Sequence, residues 1–584
     1  MNYNYSEEKN VQMLVSLLKL HNIKKIIVSP GATNISFVAS VQQDSFFELY
    51  SAIDERSAGY IACGLAAECG EPVAISCTGA TASRNYMPAL TEAYYRKLPV
   101  LAITSTRPIN QVGHNVDQVI DRSVVPNDIV RVSVHIPVVN DENEVWESNV
   151  KINRAILELK RHGGGPAHIN LTTSYSTNFS VKQLPSVRKI ERFMSYDELP
   201  SIENQRVGIF IGSHLKMTSK LTELIDLFSE KYNAVVLCDQ TSNYKGKYGV
   251  YYNLISVQRY YNTKCKNIDL LIHIGDVSAS TIHFAKEVWR VNPDGEIRDT
   301  FRKLKYVFEM EEEVFFEKYC AMRGDFICNN EHYVEWNQEY ELLLQRLKEI
   351  DKDIPYSSLW IALNLHDKIP TNSIIHFGIL NSLRCWNYFK IHSTILSYSN
   401  TGGFGIDGGV SSLIGASLND QNRMFYGIFG DLAFFYDMNS LGNRHIGNNV
   451  RIMVVNNGVG VEFKNHMNQA QRAGIGNDVD SYIAAKGHYG NKSTTLLKHY
   501  SEDLGFKYIT ASTKEEFVEK VDIFFSEKET QAPILFEVFL DDTMDTKALM
   551  MIEELFISDS GKAKKIVRNV LGDAKIEKIK NVLR

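Results

Sequence analysis

Two short segments of this sequence are placed to hold a metal and an anion. Gly430-Asp431 and Asn456-Asn457 each end an apolar run, and Asp431 and Asn457 lie 26 positions apart. A helix is expected over Phe434–His445 between them. In a strand–helix–strand unit this spacing puts both side chains at the C-terminal ends of adjacent parallel strands, where open α/β sheets bind ligands. A carboxylate and an amide oxygen are hard ligands suited to Mg²⁺; two phosphate oxygens, a water and a backbone carbonyl complete an octahedron. The residues after Gly430 open a helix, whose free N–H groups suit a diphosphate. The plainer reading is two ordinary strand-end turns.

A second candidate is Glu55, in Ile53-Asp54-Glu55-Arg56-Ser57-Ala58-Gly59, which starts a helix rich in small residues. Taken alone it is an acidic first turn that complements the helix dipole. It follows the Ser29-Pro30-Gly31 turn and precedes the Thr78-Gly79-Ala80-Thr81 turn. Gly403-Phe404-Gly405-Ile406-Asp407-Gly408 matches the dinucleotide-binding spacing, which makes a nicotinamide or flavin site an alternative. His114 lies in a polar loop near Gln118 and suits either a proton relay or plain exposure. Cys63, Cys69 and Cys77 have core-like spacing. Neither G-x-S-x-G nor H-E-x-x-H is present, so a hydrolase has no support.

The elements that must carry these residues are strands alternating with helices. Strands are expected at Lys24–Val28, Pro72–Cys77, Pro99–Thr104 and His168–Leu171, then at Val207–Ile211, Ala234–Leu237 and Asp269–Ile274. A charged helical stretch, Glu335–Asp353, precedes a third set at Ser373–Phe377, Thr394–Tyr398, Met424–Phe429, Arg451–Val455 and Pro533–Val538. This alternation predicts an α/β fold of three doubly wound parallel-sheet domains. The expected divisions are 1–185, 190–345 and 350–545, with a helical tail over 546–584. From Gly561 to Arg584 eight basic residues face two acidic ones, which predicts an amphipathic surface helix or, alternatively, a lid.

The 584 residues suit three or four domains, and 44% hydrophobic with 23% charged residues is ordinary for a globular protein. A net charge of −6 gives no reason to expect nucleic acid or an anionic membrane as partner. The polar N-terminus carries no secretory signal and no apolar run reaches bilayer length, so a cytoplasmic location is expected. The eight cysteines form no CxxC pair and are read as reduced thiols.

Gly-Asp, a helix and a strand ending in Asn-Asn together resemble the binding motif of thiamine-diphosphate enzymes, and the order of turns around Glu55 matches their pyrimidine-binding domain. The resemblance implies thiamine diphosphate and Mg²⁺ as cofactors, with Asp431, Asn457 and the Val459 carbonyl on the metal. It assigns Pro30, Thr78, Asn85, Phe404, Ile406, Gly430, Leu432 and Ala433 to the cofactor, Ile406 as the wedge between its rings. Leu432 stands where many members carry a second glycine. Glu55 is implied to be the buried carboxyl, with a raised pKa, that exchanges a proton with the aminopyrimidine. The cofactor's thiazolium then takes up electrons as CO₂ leaves a 2-oxo acid. Because such cofactors lie between subunits, a homodimer or homotetramer is implied. A non-catalytic regulatory or assembly subunit of this fold is the alternative from another class; such proteins commonly lose the glutamate or a metal ligand.

Within that family the sequence is most similar to 2-succinyl-5-enolpyruvyl-6-hydroxy-3-cyclohexene-1-carboxylate synthase, the thiamine enzyme of menaquinone synthesis. The pattern includes Ser29-Pro30-Gly31, Asp54-Glu55-Arg56, Thr104–Pro108, Asn381-Ser382-Leu383, Ser399-Asn400 and Tyr436–Leu441. The departures bear on substrate. Thr33, Trp386 and Thr401 stand where the family pattern has arginines, and the Lys-Arg pair of the middle domain aligns with Thr281-Ile282. Arg107 and Gln118 are kept, and Arg384 is a shifted replacement. Guanidinium–carboxylate pairing is strong and geometric, so these losses matter for 2-oxoglutarate and isochorismate. The expectation is a decarboxylase or carboligase with a less anionic 2-oxo acid such as pyruvate. Its acceptor would be an aldehyde, ketone or enone, with Gln118 orienting the donor. Ser382, Arg384, Trp386, Thr401, Thr33, Arg107 and His114 are the expected substrate contacts. A genuine synthase of the named kind is the alternative.

Overall fold

The computed structural model describes residues 3–203, 206–261, 263–526, 531–558 and 562. Three parallel sheets follow the three alternating blocks, as the sequence predicts. The first contains β1 (Lys25–Val28), β2 (Glu48–Ser51), β3 (Val73–Cys77), β4 (Val100–Thr106), β5 (Ser133–Ile136) and β6 (Ala167–Thr172), in the order β2-β1-β3-β4-β6-β5. The middle stretch contributes β7 (Glu191–Met194), β8 (Val207–Ile211), β9 (Ala234–Cys238), β10 (Gly249–Tyr251), β11 (Ile268–Ile274), β12 (Ala285–Val291) and β13 (Leu304–Glu309). The last sheet holds β14 (Ile374–Phe377), β15 (Leu396–Tyr398), β16 (Phe425–Gly430), β17 (Val450–Asn456), β18 (Lys507–Ala511) and β19 (Ile534–Phe539). Its order, β15-β14-β16-β17-β19-β18, repeats that of the first sheet strand for strand.

The chain divides into two compact units, Met1–Glu198 with Asp294–Glu309, and Leu199–Pro293 with Met310–Arg584. In the first unit β3, β4 and β6 are buried along their whole length, as expected for parallel strands covered by helices on both faces. On one face the helix Glu55–Cys69 packs against the helix Met87–Arg96 through Ala58, Ala62, Ala66, Ala89 and Ala93. A Cβ on Gly59 would lie 2.5 Å from the Ala89 Cβ. The run of small residues therefore lets two helices approach closely and fixes the one that begins at Glu55.

The parallel pair β7–β13 also belongs to this unit. It is tied down by an ionic cluster: Arg161 Nε to Glu309 Oε2 at 3.0 Å, Arg161 Nη1 to Glu158 Oε1 at 3.2 Å, and Arg192 Nη2 to Glu158 Oε1 at 3.0 Å. The second unit holds five middle strands in the order β10-β9-β8-β11-β12 and the whole last sheet. Buried polar ties join these two sheets within it. Gln240 Nε2 donates to the Trp386 and Phe389 carbonyls at 2.9 and 2.7 Å.

One expected helix is shorter than its sequence suggests. Helix runs from Asp431 to Asp437 and gives way to tighter 3₁₀ turns over Met438–Gly442. Asp437 is drawn sideways, accepting from Ser411 N at 2.6 Å and Ser411 Oγ at 2.5 Å, and Asn439, Ser440 and Gly442 are weak helix formers. After β19 a helix spans Asp542–Glu553. The amphipathic stretch Gly561–Arg584 lies outside the described residues apart from Lys562. Among the described residues no helix is long and apolar enough to cross a membrane.

Glu309→Ala removes the carboxylate that faces Arg161 from β13 and leaves that guanidinium with Glu158 and Glu296. It is expected to destabilise the first unit by about 1–3 kcal/mol, measured as an earlier first transition in denaturant unfolding. An unmoved transition would show that the cluster contributes nothing net.

Candidate active site

The half of the site in the first unit is built from loops at the C-terminal ends of β1, β2 and β3. Asp54 caps the helix at Glu55, its Oδ1 accepting from Arg56 N at 2.9 Å and Ser57 N at 3.5 Å. The cap leaves the Glu55 side chain projecting from the first turn, where Asn85 Nδ2 donates to Glu55 Oε2 at 3.3 Å. Two residues expected at the cofactor are thus joined. Glu55 is half-buried in the single chain rather than buried as expected. Its surroundings are an apolar surface: Ile53, Tyr60 and Ile61 are 85%, 48% and 50% exposed.

Pro30 is exposed on the loop after β1, and Thr78 follows β3. Gly31 permits their approach, because a Cβ there would lie 2.3 Å from the Thr78 Cβ. Thr33 is buried beneath them. Its Oγ1 is 2.7 Å from Thr78 Oγ1, accepts from Gly79 N at 3.2 Å and lies 3.2 Å from the Ser105 carbonyl. Ala80 then takes the strained conformation φ 54°, ψ −131°, of a kind that persists where surrounding structure over-determines it. His114 and Gln118 are exposed on the following loop. Arg107 meets Asp117 bidentately, Nη1–Oδ1 at 3.0 Å and Nη2–Oδ2 at 3.2 Å, and its Nε donates to Tyr175 OH at 3.1 Å. Burial pushes the Cys63 thiol up to about 11 and the Cys77 thiol up to about 12, so neither is a nucleophile.

The half in the second unit lies at the strand-order reversal of the last sheet, where β14 and β16 run side by side and chain connections diverge. A cavity of about 110 Å³ opens there. Gly430, Asp431, Leu432, Ala433, Asn457 and Val459 line it, together with Ile406 and Ser382. Strand order has therefore brought together most of the residues expected at this end of the cofactor. Leu380, in the loop after β14, is strained like Ala80, at φ 65°, ψ −123°.

Asp431 is 4% exposed, accepts from Gly458 N at 3.1 Å, and has no cationic side chain paired with it among the described residues. Burial pushes its carboxyl up to about 7. Asn457 Oδ1 accepts from Val459 N at 3.3 Å while its Nδ2 donates to Asp545 Oδ2 at 3.2 Å. An unpaired buried carboxylate beside a fixed amide oxygen, in a cavity shared with the Val459 backbone, fits a divalent cation. Among the described residues no group of three or more His, Cys, Asp or Glu side chains could hold a metal, so oxygen atoms from a ligand would complete the shell.

Asp545 escapes sequence reasoning. It lies on the helix Asp542–Glu553, is 1% exposed, and its Oδ1 accepts from Ser358 N at 2.7 Å. By accepting from Asn457 Nδ2 it dictates which end of that amide faces the cavity. The only local signal is an aspartate where the alternating pattern stops.

Three residues expected at the substrate, Thr33, Trp386 and Thr401, are 2%, 1% and 2% exposed. Trp386 packs against Phe377, and neither Trp386 nor Thr401 lines the cavity. Ser382 does line the cavity. Arg384 is met bidentately by Glu462, Nη1–Oε2 at 2.6 Å and Nη2–Oε1 at 3.1 Å.

Comparison with known proteins agrees with both halves. Residues 9–124 match the family model "Thiamine pyrophosphate enzyme, N-terminal TPP binding domain". A 2-succinyl-5-enolpyruvyl-6-hydroxy-3-cyclohexene-1-carboxylate synthase of Phocaeicola vulgatus is 31% identical over 571 residues, covering 93% of this chain and 98% of the relative. Synthases of the same name from Bacteroides thetaiotaomicron and Flavobacterium johnsoniae are 30% and 26% identical. They cover 93% and 90% of this chain and 98% and 95% of their own. The chain belongs to the family of thiamine-pyrophosphate-dependent enzymes that includes these synthases. It is an enzyme of that cofactor, which sets aside the dinucleotide and non-catalytic readings.

Asp545→Asn places an amide where two donors need an acceptor. It is expected to weaken Mg²⁺ and thiamine diphosphate binding about 10–100-fold, measured by calorimetric titration, with the thermal unfolding midpoint of the cofactor-free protein little changed. Wild-type affinity in that variant would show that Asn457 does not depend on Asp545.

Proposed function

We propose that this enzyme is a Mg²⁺- and thiamine-diphosphate-dependent 2-oxo-acid decarboxylase or carboligase whose donor is less anionic than 2-oxoglutarate. One observation carries the reading. Arg107 and Arg384, the two arginines expected at the substrate, are each met by one of the chain's own carboxylates, Arg107 by Asp117 and Arg384 by Glu462. A second carboxylate on the donor would have to compete with an internal bidentate pair at either position. Thr33, Trp386 and Thr401 offer no cation in compensation.

Asp431, Asn457 and the Val459 carbonyl are the metal ligands in this proposal. Ile406, Leu432 and Ala433 shape the cavity wall. Bound there, the cofactor supplies the electron sink for loss of CO₂ from the donor. Glu55 holds the proton that must move at the cofactor's aminopyrimidine, and Asn85 steers the Glu55 carboxylate through its hydrogen bond. Gln118 orients the donor from the exposed loop. The half-buried Glu55 and the apolar side chains of Ile53, Tyr60 and Ile61 support a homodimer or homotetramer. In it the Glu55 end of one subunit meets the Asp431 end of another, and the contact dries the glutamate. The absence of a membrane-crossing helix among the described residues is consistent with a cytoplasmic place of action.

Glu55→Gln should lower CO₂ release about 100-fold or more while thiamine diphosphate binding stays measurable by titration; undiminished turnover would remove Glu55 from the mechanism. In a screen of 2-oxo acids, pyruvate or another monocarboxylate should exceed 2-oxoglutarate in kcat/KM by about tenfold or more. Efficient turnover of 2-oxoglutarate with isochorismate would instead assign the activity named in the relatives.

A further inference from the structure

Beside the cofactor cavity lies a larger one, of about 550 Å³. The two share Leu380 and Glu462 in their walls. The residues that line the larger cavity all belong to the second unit. Arg384 faces the larger cavity and not the smaller. It stands on the short helix Asn381–Trp386 after β14, while Glu462 stands in the 3₁₀ turn Val461–Lys464 after β17. The Arg384–Glu462 pair therefore sits at the wall between the two spaces.

Both members of the pair are within reach of a ligand, since their side chains are 32% and 22% exposed. Among the described residues no other carboxylate pairs with Arg384. Glu553, also in the lining, is met instead by His466 at 3.0 Å and Arg259 at 3.6 Å. A planar guanidinium takes a carboxylate in a forked geometry. Glu462 fills the fork of the two terminal nitrogens and cancels the charge that would draw a second anion. It is also tethered. An intramolecular partner acts at an effective concentration set by the chain, without the association cost that a free ligand bears.

We propose that Glu462 is the specificity-determining residue for the donor: it holds Arg384 and so turns away the distal carboxylate of a dicarboxylic 2-oxo acid. A donor held at the cofactor cavity extends its chain past the shared wall into the larger one. There an uncharged chain meets a closed ion pair. A distal carboxylate meets the like charge of Glu462, with Arg384 already occupied. Glu462→Gln keeps the side-chain length and one acceptor oxygen. It withdraws the charge and replaces the other oxygen by a donor that cannot pair with the guanidinium. Arg384 then becomes a cation that a ligand carboxylate can engage. The inference rests on the reading of a less anionic donor and names the residue that sets that preference.

The test compares 2-oxoglutarate with 2-oxopentanoate, which has the same carbon backbone and no distal carboxylate, as donors for CO₂ release by the cofactor-loaded enzyme. Glu462→Gln and Glu462→Ala are each expected to shift the ratio of kcat/KM values about tenfold toward 2-oxoglutarate. Glutarate has no 2-oxo group to react and reads binding alone. Its dissociation constant, by calorimetric titration, should fall about tenfold in the same variants. Combining Arg384→Gln with Glu462→Gln should abolish both gains, a reversal that a merely structural role for the pair would not produce. An unchanged donor ratio with unchanged glutarate affinity, or gains that persist in the double variant, would overturn the assignment. Absence of CO₂ from every 2-oxo acid, with glutarate binding still governed by Glu462 and Arg384, would instead sink the underlying reading and leave the anion gate standing. Wild-type preference for 2-oxoglutarate over 2-oxopentanoate would overturn both.

Discussion

A carboxylate kept dry at the end of a parallel strand is the constraint on which this molecule turns. Among the described residues Asp431 has no cationic partner, and burial, with a smaller push from the Glu537 carboxylate, drives its carboxyl toward protonation. Such a group is tolerable when a cation is its counterpart. The surrounding chain is arranged around that need: Gly458 donates to one oxygen, Asn457 presents an amide oxygen nearby, and Asp545 stops that amide from turning. In the proposed reading the metal anchor is thus prepared by the fold before any ligand arrives.

The repeated strand order of the first and last sheets gives the chain two equivalent places at which to build loops. Each sheet also holds a non-glycine residue at positive φ just before a short helix, though at non-equivalent strands: Ala80 after β3 and Leu380 after β14. In the proposed reading one sheet carries the proton-exchanging carboxylate and the other the diphosphate anchor. Arg107 and Arg384 are each paired within the chain, by Asp117 and Glu462, and the proposal of a less anionic donor rests on that pairing.

The long buried strands were legible because their runs are apolar throughout. β3, β4 and β17 are buried at every position. Edge and short strands were not: β2 is mostly exposed and β10 has three residues, so neither shows a period to read. The Asp431/Asn457 spacing was legible because it is a property of one βαβ unit. The Arg384–Glu462 pair, 78 positions apart, and the Asp545–Asn457 bond, 88 apart, depend on how distant elements dock and leave no local pattern. Trp386 and Thr401 illustrate a different limit. Alignment to a family located the positions near the site, but the direction of each side chain was set by packing, and both point inward.

Subunit complementation tests most directly whether Glu55 and Asp431 serve one cofactor held between two chains. Glu55→Gln and Asp431→Ala proteins, each inactive alone, would be mixed, dissociated and reassociated, and CO₂ release followed. Recovery of activity in the mixed oligomer is predicted, since one of its sites then combines two unaltered halves. A mixed oligomer that forms yet stays as inactive as either parent would contradict the account.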